Sequence, residues 1–160
     1  MNRRWTFNLL VGIVAVFGLF SCATEDEDIR PKTVADVIIN ESRFSIFRSV
    51  LQQAGLSDAL KSGQFTVFAP NDEAFNKMSI SDASQVGGMS PDSLRAIVSY
   101  LILDGERKAE SFAAGEKVAV NTLLDAPLYI SKNETVFKVN MANVVKQDIS
   151  ADNGVVHEID

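Results

Sequence analysis

From Thr33 onward apolar residues recur at spacings of three and four, and beyond residue 105 that rhythm gives way to extended patterning. Thr33, with Asp36 three residues on, has the form of a capping box, and Val34, Val37 and Ile38 behind it share one face of a short first helix. Phe44, Phe47, Val50, Leu51 and Ala54 form the stripe of a second helix, with Gly55 standing where a left-handed C-terminal cap belongs. Residues 56–60 add a further turn before a break at Ser62-Gly63. Residues 65–69 are aromatic and β-branched and predict a strand that stops at Pro70, where the amide donor is lost. Asn71 or Asp72 then caps a short helix carrying Phe75 and Met78, and residues 79–90 read as loop. Ser90-Pro91-Asp92 opens another helix, whose buried stripe is Leu94, Ile97, Val98 and Leu101 and which ends by Asp104-Gly105. Residues 127–131 and 135–139 flank Lys132-Asn133-Glu134 as a hairpin, and residues 142–148 and 155–159 flank a turn at 150–154. Helices first and strands later predict an α+β domain.

The start of the chain follows other rules. Asn2-Arg3-Arg4 is a short basic opening, and residues 5–20 are mostly apolar, interrupted by Thr6 and Asn8. That run is shorter than the roughly twenty residues a spanning helix needs, and it reads as a secretory signal. Leu19-Phe20-Ser21-Cys22 resembles the lipobox of bacterial lipoproteins, in which the cysteine thiol takes a diacylglycerol and becomes the mature N-terminus; Phe20 is an unusual filler of its slot. The alternative is an uncleaved anchor with an incidental cysteine, and either reading puts the domain outside the cytoplasm. Two or more acyl chains on Cys22 give stable anchoring, which makes the membrane its first expected partner. The expected division is therefore 1–21 signal peptide, 22–32 acidic tether and 33–160 globular domain. Glu25-Asp26-Glu27-Asp28 is at least a solvated spacer. An acidic run after the lipidated cysteine also resembles the signal by which some Gram-negative groups display lipoproteins on the outer face. The expectation is an outer-membrane lipoprotein, surface-exposed or periplasm-facing.

Composition narrows the chemistry. In 160 residues there is one cysteine and one histidine, which excludes an internal disulfide and the usual four-ligand zinc folds. The net charge is −6, and loss of Arg3 and Arg4 with the signal takes it to −8, so a phosphate backbone is repelled and nucleic acid is not an expected partner. No Gly-x-Ser-x-Gly elbow occurs, and Gly87-Gly88 lacks the lysine of a phosphate-binding loop.

Three segments carry a resemblance. Phe65-Thr66-Val67-Phe68-Ala69-Pro70-Asn71-Asp72-Glu73-Ala74-Phe75 resembles the first signature box of the fasciclin domain. Asp148-Ile149 followed by Asn153-Gly154-Val155-Val156-His157-Glu158-Ile159-Asp160 resembles the second, and residues 94–105 resemble the helix and strand bearing the family's tyrosine-histidine motif. The resemblance covers residues 33–160. It implies a β-wedge decorated by several short helices, found in secreted and membrane-anchored proteins that mediate adhesion and are not generally enzymes, with no cofactor. Two departures stand out. Tyr100 is followed by Leu101 where the motif has histidine, and the family usually continues several residues beyond the position of Asp160.

Each singled-out residue has a plain structural reading beside the functional one. His157 shares a strand face with Val155 and Ile159, which favours a buried, hydrogen-bonded imidazole over an active-site base. Thr66 projects opposite Phe65 and Val67 and is expected to bond main chain inside the wedge. Asp72 and Glu73 suit the first turn of a helix as caps. Tyr100 reads as core with a bonded hydroxyl. Pro70, Asn71, Asn153 and Gly154 are expected to serve the motif structurally. Asp148 and Ile149 match the family's second adhesive dipeptide and are either a turn-former and its neighbour or contacts for a ligand. Asn40-Glu41-Ser42 and Asn133-Glu134-Thr135 fit glycosylation sequons that a bacterial lipoprotein would not use, and Asp92-Ser93-Leu94 is a weak O-glycosylation pattern. The leading expectation is a non-catalytic, lipid-anchored adhesion or interaction module with an unidentified protein or glycan ligand. The alternatives are an accessory subunit of an outer-membrane or carbohydrate-handling assembly and, least favoured, a hydrolase built on His157.

Overall fold

The Asp36 amide donates to the Thr33 hydroxyl at 3.3 Å while the Asp36 carboxylate takes the Thr33 amide at 2.9 Å, and this closed box starts α1, Val34–Asn40. These are the first elements of a computed structural model that describes residues 32–160; the expected signal, Cys22 and nearly all of the acidic tether lie outside the described residues. A 3-10 turn, Ser42–Phe44, leads into α2, Ser45–Gln53, which buries Ile46, Phe47, Val50 and Leu51; Gly55 then takes φ +67°. A further 3-10 turn, Ala59–Lys61, precedes β1, Phe65–Pro70. Asn71 accepts the Ala74 amide at 3.0 Å to open α3, Asp72–Lys77. Met78 lies past its end and is exposed.

Residues 79–90 are more ordered than a loop. Asp82 and Gln85 form a second capping box on a 3-10 turn, Ala83–Gly88, which buries Val86 against α2. The short-range Asp-x-x-Gln signal was present, but glycines after it masked the turn. Next comes α4, Pro91–Tyr100, capped by Ser90. Ile97, expected in its buried stripe, is 41% exposed, because the face the helix buries is centred on Leu94 and Val98. β2 (Ile102–Asp104), a 3-10 turn (Ala109–Ser111), β3 (Gly115–Asn121), β4 (Pro127–Lys132), β5 (Phe137–Val139), β6 (Ala142–Ala151) and β7 (Gly154–Ile159) complete the chain. The turn between β6 and β7 is tighter than expected, since Ser150 and Ala151 already pair with Val155 and Gly154.

The strands form one curled sheet in the order β2-β1-β7-β6-β5-β4-β3. All neighbours are antiparallel except β1 and β7, which run parallel from Phe65 opposite Gly154 to Pro70 opposite Ile159. That central pair is buried on both faces, which explains its nearly continuous apolar sequence. Register shifts within β6, on either side of Lys146, bend the long strand and fold β3–β5 back over the sheet. Two cores result. Val67, Ala69 and Val156 pack against α1, α2 and α4, whereas Phe68, Ile159, Leu128, Ile130 and Val139 fill the wedge between the halves of the sheet.

Candidate interaction site

The two sequence boxes are neighbours in space because β1 and β7 pair along their whole length. Each box then ties a loop to that ladder. Thr66, wholly buried, donates to the Gly105 carbonyl at 2.7 Å and accepts from the Arg107 amide at 2.8 Å. Pro70 closes the ladder, and the Asn71 amide donates to the Ile159 carbonyl at 3.0 Å. Asp72 does not cap its own helix; its carboxylate accepts the Ser45 hydroxyl at 2.7 Å and the Ile46 amide at 3.0 Å, and so caps α2. Asn153 accepts from the Val34 amide at 2.8 Å and donates to the carbonyls of Leu60 and Gly63 at 2.9 and 3.1 Å. Gly154 sits at φ +146°, and a Cβ there would fall 1.9 Å from the Phe65 carbonyl oxygen, so no other residue fits without moving β1.

His157 is the hinge pin of the second box. It is fully buried in the wedge, stacked on Phe68 with ring centroids 5.4 Å apart and edge-on to Phe137 and Phe112 at 5.8 and 6.0 Å. The Asp148 amide donates to Nδ1 at 3.2 Å, which leaves the ring proton on Nε2, and Nε2 donates to the Arg107 carbonyl at 2.9 Å. Both nitrogens are thus engaged by main chain, and neither lone pair nor proton is open to a substrate. Burial pushes the imidazole below its ordinary range, with the Arg107 carbonyl and the Asp148 carboxylate pulling weakly the other way. The geometry is that of a neutral strut between the loop at Arg107 and the bulge of β6.

Asp148 itself stands at a bulge with φ +57°, and its carboxylate accepts the Ala109 amide at 2.8 Å. Ile149, half-buried, leans on the helical core. The side chains of this dipeptide therefore hold intramolecular partners. Tyr100 is half-buried at the end of α4; its hydroxyl donates to the Pro127 carbonyl at 3.2 Å and accepts from the Asn140 amide group at 3.1 Å.

Sequence reasoning missed a charged cluster under the same ladder. Glu158, 7% exposed, receives the Asn71 amide group at 2.9 Å and lies 2.8 Å from Arg43 Nε, while Arg43 Nη1 reaches Glu41 at 3.1 Å. The signal was there: a carboxylate inside an otherwise apolar strand demands a cationic partner. Arg43, Asp72, Glu73, Lys146 and Glu158 line a cleft of about 500 Å³ with charges of both signs. Among the described residues no group of His, Cys, Asp and Glu is placed to hold a metal ion, and no helix is long and apolar enough to cross a membrane.

Comparison with known proteins adds three findings. A model of the fasciclin domain matches residues 42–160. Over 128 residues the chain is 34% identical to the transforming growth factor-beta-induced protein ig-h3 of Sus scrofa, covering 79% of this chain and 18% of that one; it is 32% identical to the uncharacterized protein sll1735 of Synechocystis, covering 79% of this chain and 93% of that one. In fold it is similar to a FAS1 domain pair from the insect cell adhesion molecule fasciclin I, with a TM-score of 0.62 and 22% identity over 81% of this chain and 49% of the other.

Proposed function

The chain belongs to the fasciclin family, and from that membership we propose that it is a non-catalytic binding module held to a bacterial envelope by a lipid on Cys22. Fasciclin domains occur in cell adhesion proteins, fasciclin I among them, and a role in adhesion or interaction follows for this domain. The observation that carries the reading is the pairing of the two boxes. Thr66, Asn71, Asp72, Asn153, His157 and Glu158 of the two boxes are spent on main-chain, capping or ion-pair contacts, so the boxes build a scaffold and leave recognition to the outer surface. The lipobox-like Leu19-Phe20-Ser21-Cys22 and the acidic Glu25-Asp26-Glu27-Asp28 support attachment at the outer membrane, facing outward or toward the periplasm.

Membrane fractionation of cells expressing the wild type and Cys22→Ala, with metabolic labelling by an alkyne fatty acid, tests the anchor. Label and membrane retention are expected for the wild type and absent from the variant; equal retention of both refutes lipid anchoring. Adhesion of cells displaying the protein to a panel of matrix and glycan surfaces, compared with cells lacking it, tests the binding role.

A further inference from the structure

The outer face of the β3–β5 half of the sheet differs in charge from the rest of the molecule. Leu128 and Ile130 point into the wedge, so Tyr129 and Ser131 point out, and Tyr129 is 42% exposed. Lys138 of β5 is the register partner of Ser131 on one side, and on the other the Lys117 amide donates to the Ser131 hydroxyl at 3.1 Å. Lys117, at φ +54°, occupies the bulge between Gly115 and Val118. Two inter-strand steps set these lysines about 10 Å apart across Ser131. Neither makes an ion pair with any described residue. Together with Lys132 and Asn133 they line a cleft of about 570 Å³ in which the sole carboxylate is that of Glu116. Lys132 turns its ammonium to the carbonyls of Ala109 and Phe112 and over the Phe137 ring, adding positive charge beneath the floor. Three lysines to one carboxylate stand out on a chain whose net charge is −6.

We infer that this face binds an acidic polysaccharide of the uronate type, laid along β4 with one sugar stacked on Tyr129 and the carboxylate of a neighbouring sugar held between Lys117 and Lys138. The inference deepens the binding-module reading and rests on it. Each part of the surface has a role. The exposed ring offers a flat apolar platform to the C–H face of a sugar, the two lysines supply charge complementarity, and Asn133 supplies an amide at the end of the track. Tyr129 and Ser131 lie about 7 Å apart along the strand, so platform and clamp address adjacent units of one extended chain. A densely charged phosphate polymer fits less well, because the remainder of the acidic molecule repels it.

The test uses the full-length protein in detergent, with polygalacturonate as the probe and neutral dextran, double-stranded DNA and anionic phospholipid vesicles as comparators. Affinity is read by biolayer interferometry at two salt concentrations. Lys117→Glu with Lys138→Glu is expected to weaken polygalacturonate binding by at least about tenfold and to flatten its salt dependence. Tyr129→Ala is expected to weaken it about three- to tenfold while leaving the salt dependence in place. Lys61→Glu with Lys77→Glu, an equal charge change at exposed sites elsewhere, is expected to stay near the wild type. Absence of binding to polygalacturonate, equal loss in the Lys61/Lys77 control, or equal affinity for DNA or vesicles overturns the inference. If the Lys117/Lys138 variant keeps wild-type cell adhesion, the binding-module reading stands and the polyuronate site falls.

Discussion

Acidification should unlatch this domain through its single imidazole. His157 is held neutral, with Nδ1 accepting the Asp148 amide and Nε2 donating to the Arg107 carbonyl. A second proton has to enter at Nδ1, where an N–H already points, so charging the ring forfeits that bond and places a cation among Phe68, Phe112 and Phe137. Burial lowers the native pKa, and the unfolded chain therefore takes up the proton first. The stabilisation is complete above the unfolded value of about 6.5 and is lost as pH falls from there toward the native value. Between pH 7.5 and 5.5 the loss reaches at most about 1.4 kcal/mol, which at an m-value of about 1.5 kcal/mol/M lowers the urea midpoint by roughly 1 M. His157→Phe keeps the ring but orphans the Asp148 amide and the Arg107 carbonyl, and should cost about 2–4 kcal/mol at pH 7.5. Because the chain has only this histidine and ordinary carboxylates titrate lower, the variant's midpoint should be flat over the same window. Urea melts followed by far-UV circular dichroism at pH 7.5, 6.5 and 5.5 decide it. A variant as pH-sensitive as the wild type, or a wild type with no slope, refutes the reasoning.

Substitutions at Gly154, Asn153 and the Arg43–Glu158 pair probe the ladder and its surroundings. Gly154→Ala drives a Cβ into the Phe65 carbonyl and should destabilise by about 3–5 kcal/mol, seen as a large drop in thermal midpoint or as insoluble expression. Asn153→Ala removes one acceptor and two donor bonds and should cost about 2–4 kcal/mol by urea melts, with Asn153→Asp recovering part of it through the retained oxygen facing the Val34 amide. Arg43→Met strands the buried Glu158 carboxylate and should cost about 3 kcal/mol, whereas adding Glu158→Leu should restore most of the loss; a double variant as unstable as the sum of the singles would contradict the pairing.

Much of the helical half was legible because its signals are local. The box at Thr33-Asp36, the stripe of α2 and the Ser90-Pro91 start need only neighbours within one or two turns, and they occur where the spacing places them. β3 was not legible: Gly115-Glu116-Lys117-Val118 has poor strand propensity, and its extended form comes from pairing with β4 around a bulge. The exposure of Ile97 likewise depends on how α4 lands on the core, which periodicity alone does not encode. At the boxes the burial of His157 followed from strand alternation, but its partners did not. Arg107 arrives from a loop and Asp148 from the bulge in β6, and Asp72 turned out to serve a helix that begins 27 residues earlier. Side-chain roles that close long loops are set by topology and become visible only with it.

The central ladder joins β1 to a strand that begins 84 residues after β1 ends, with β2 and β6 flanking the pair. A ribosome must deliver nearly the whole domain before this seam can zip, and until then β1 has only the short β2 beside it. Contacts so distant in sequence make closure slow. Until the seam closes, the packing built on β1 and β7 is incomplete, so firm structure comes late in the life of the chain.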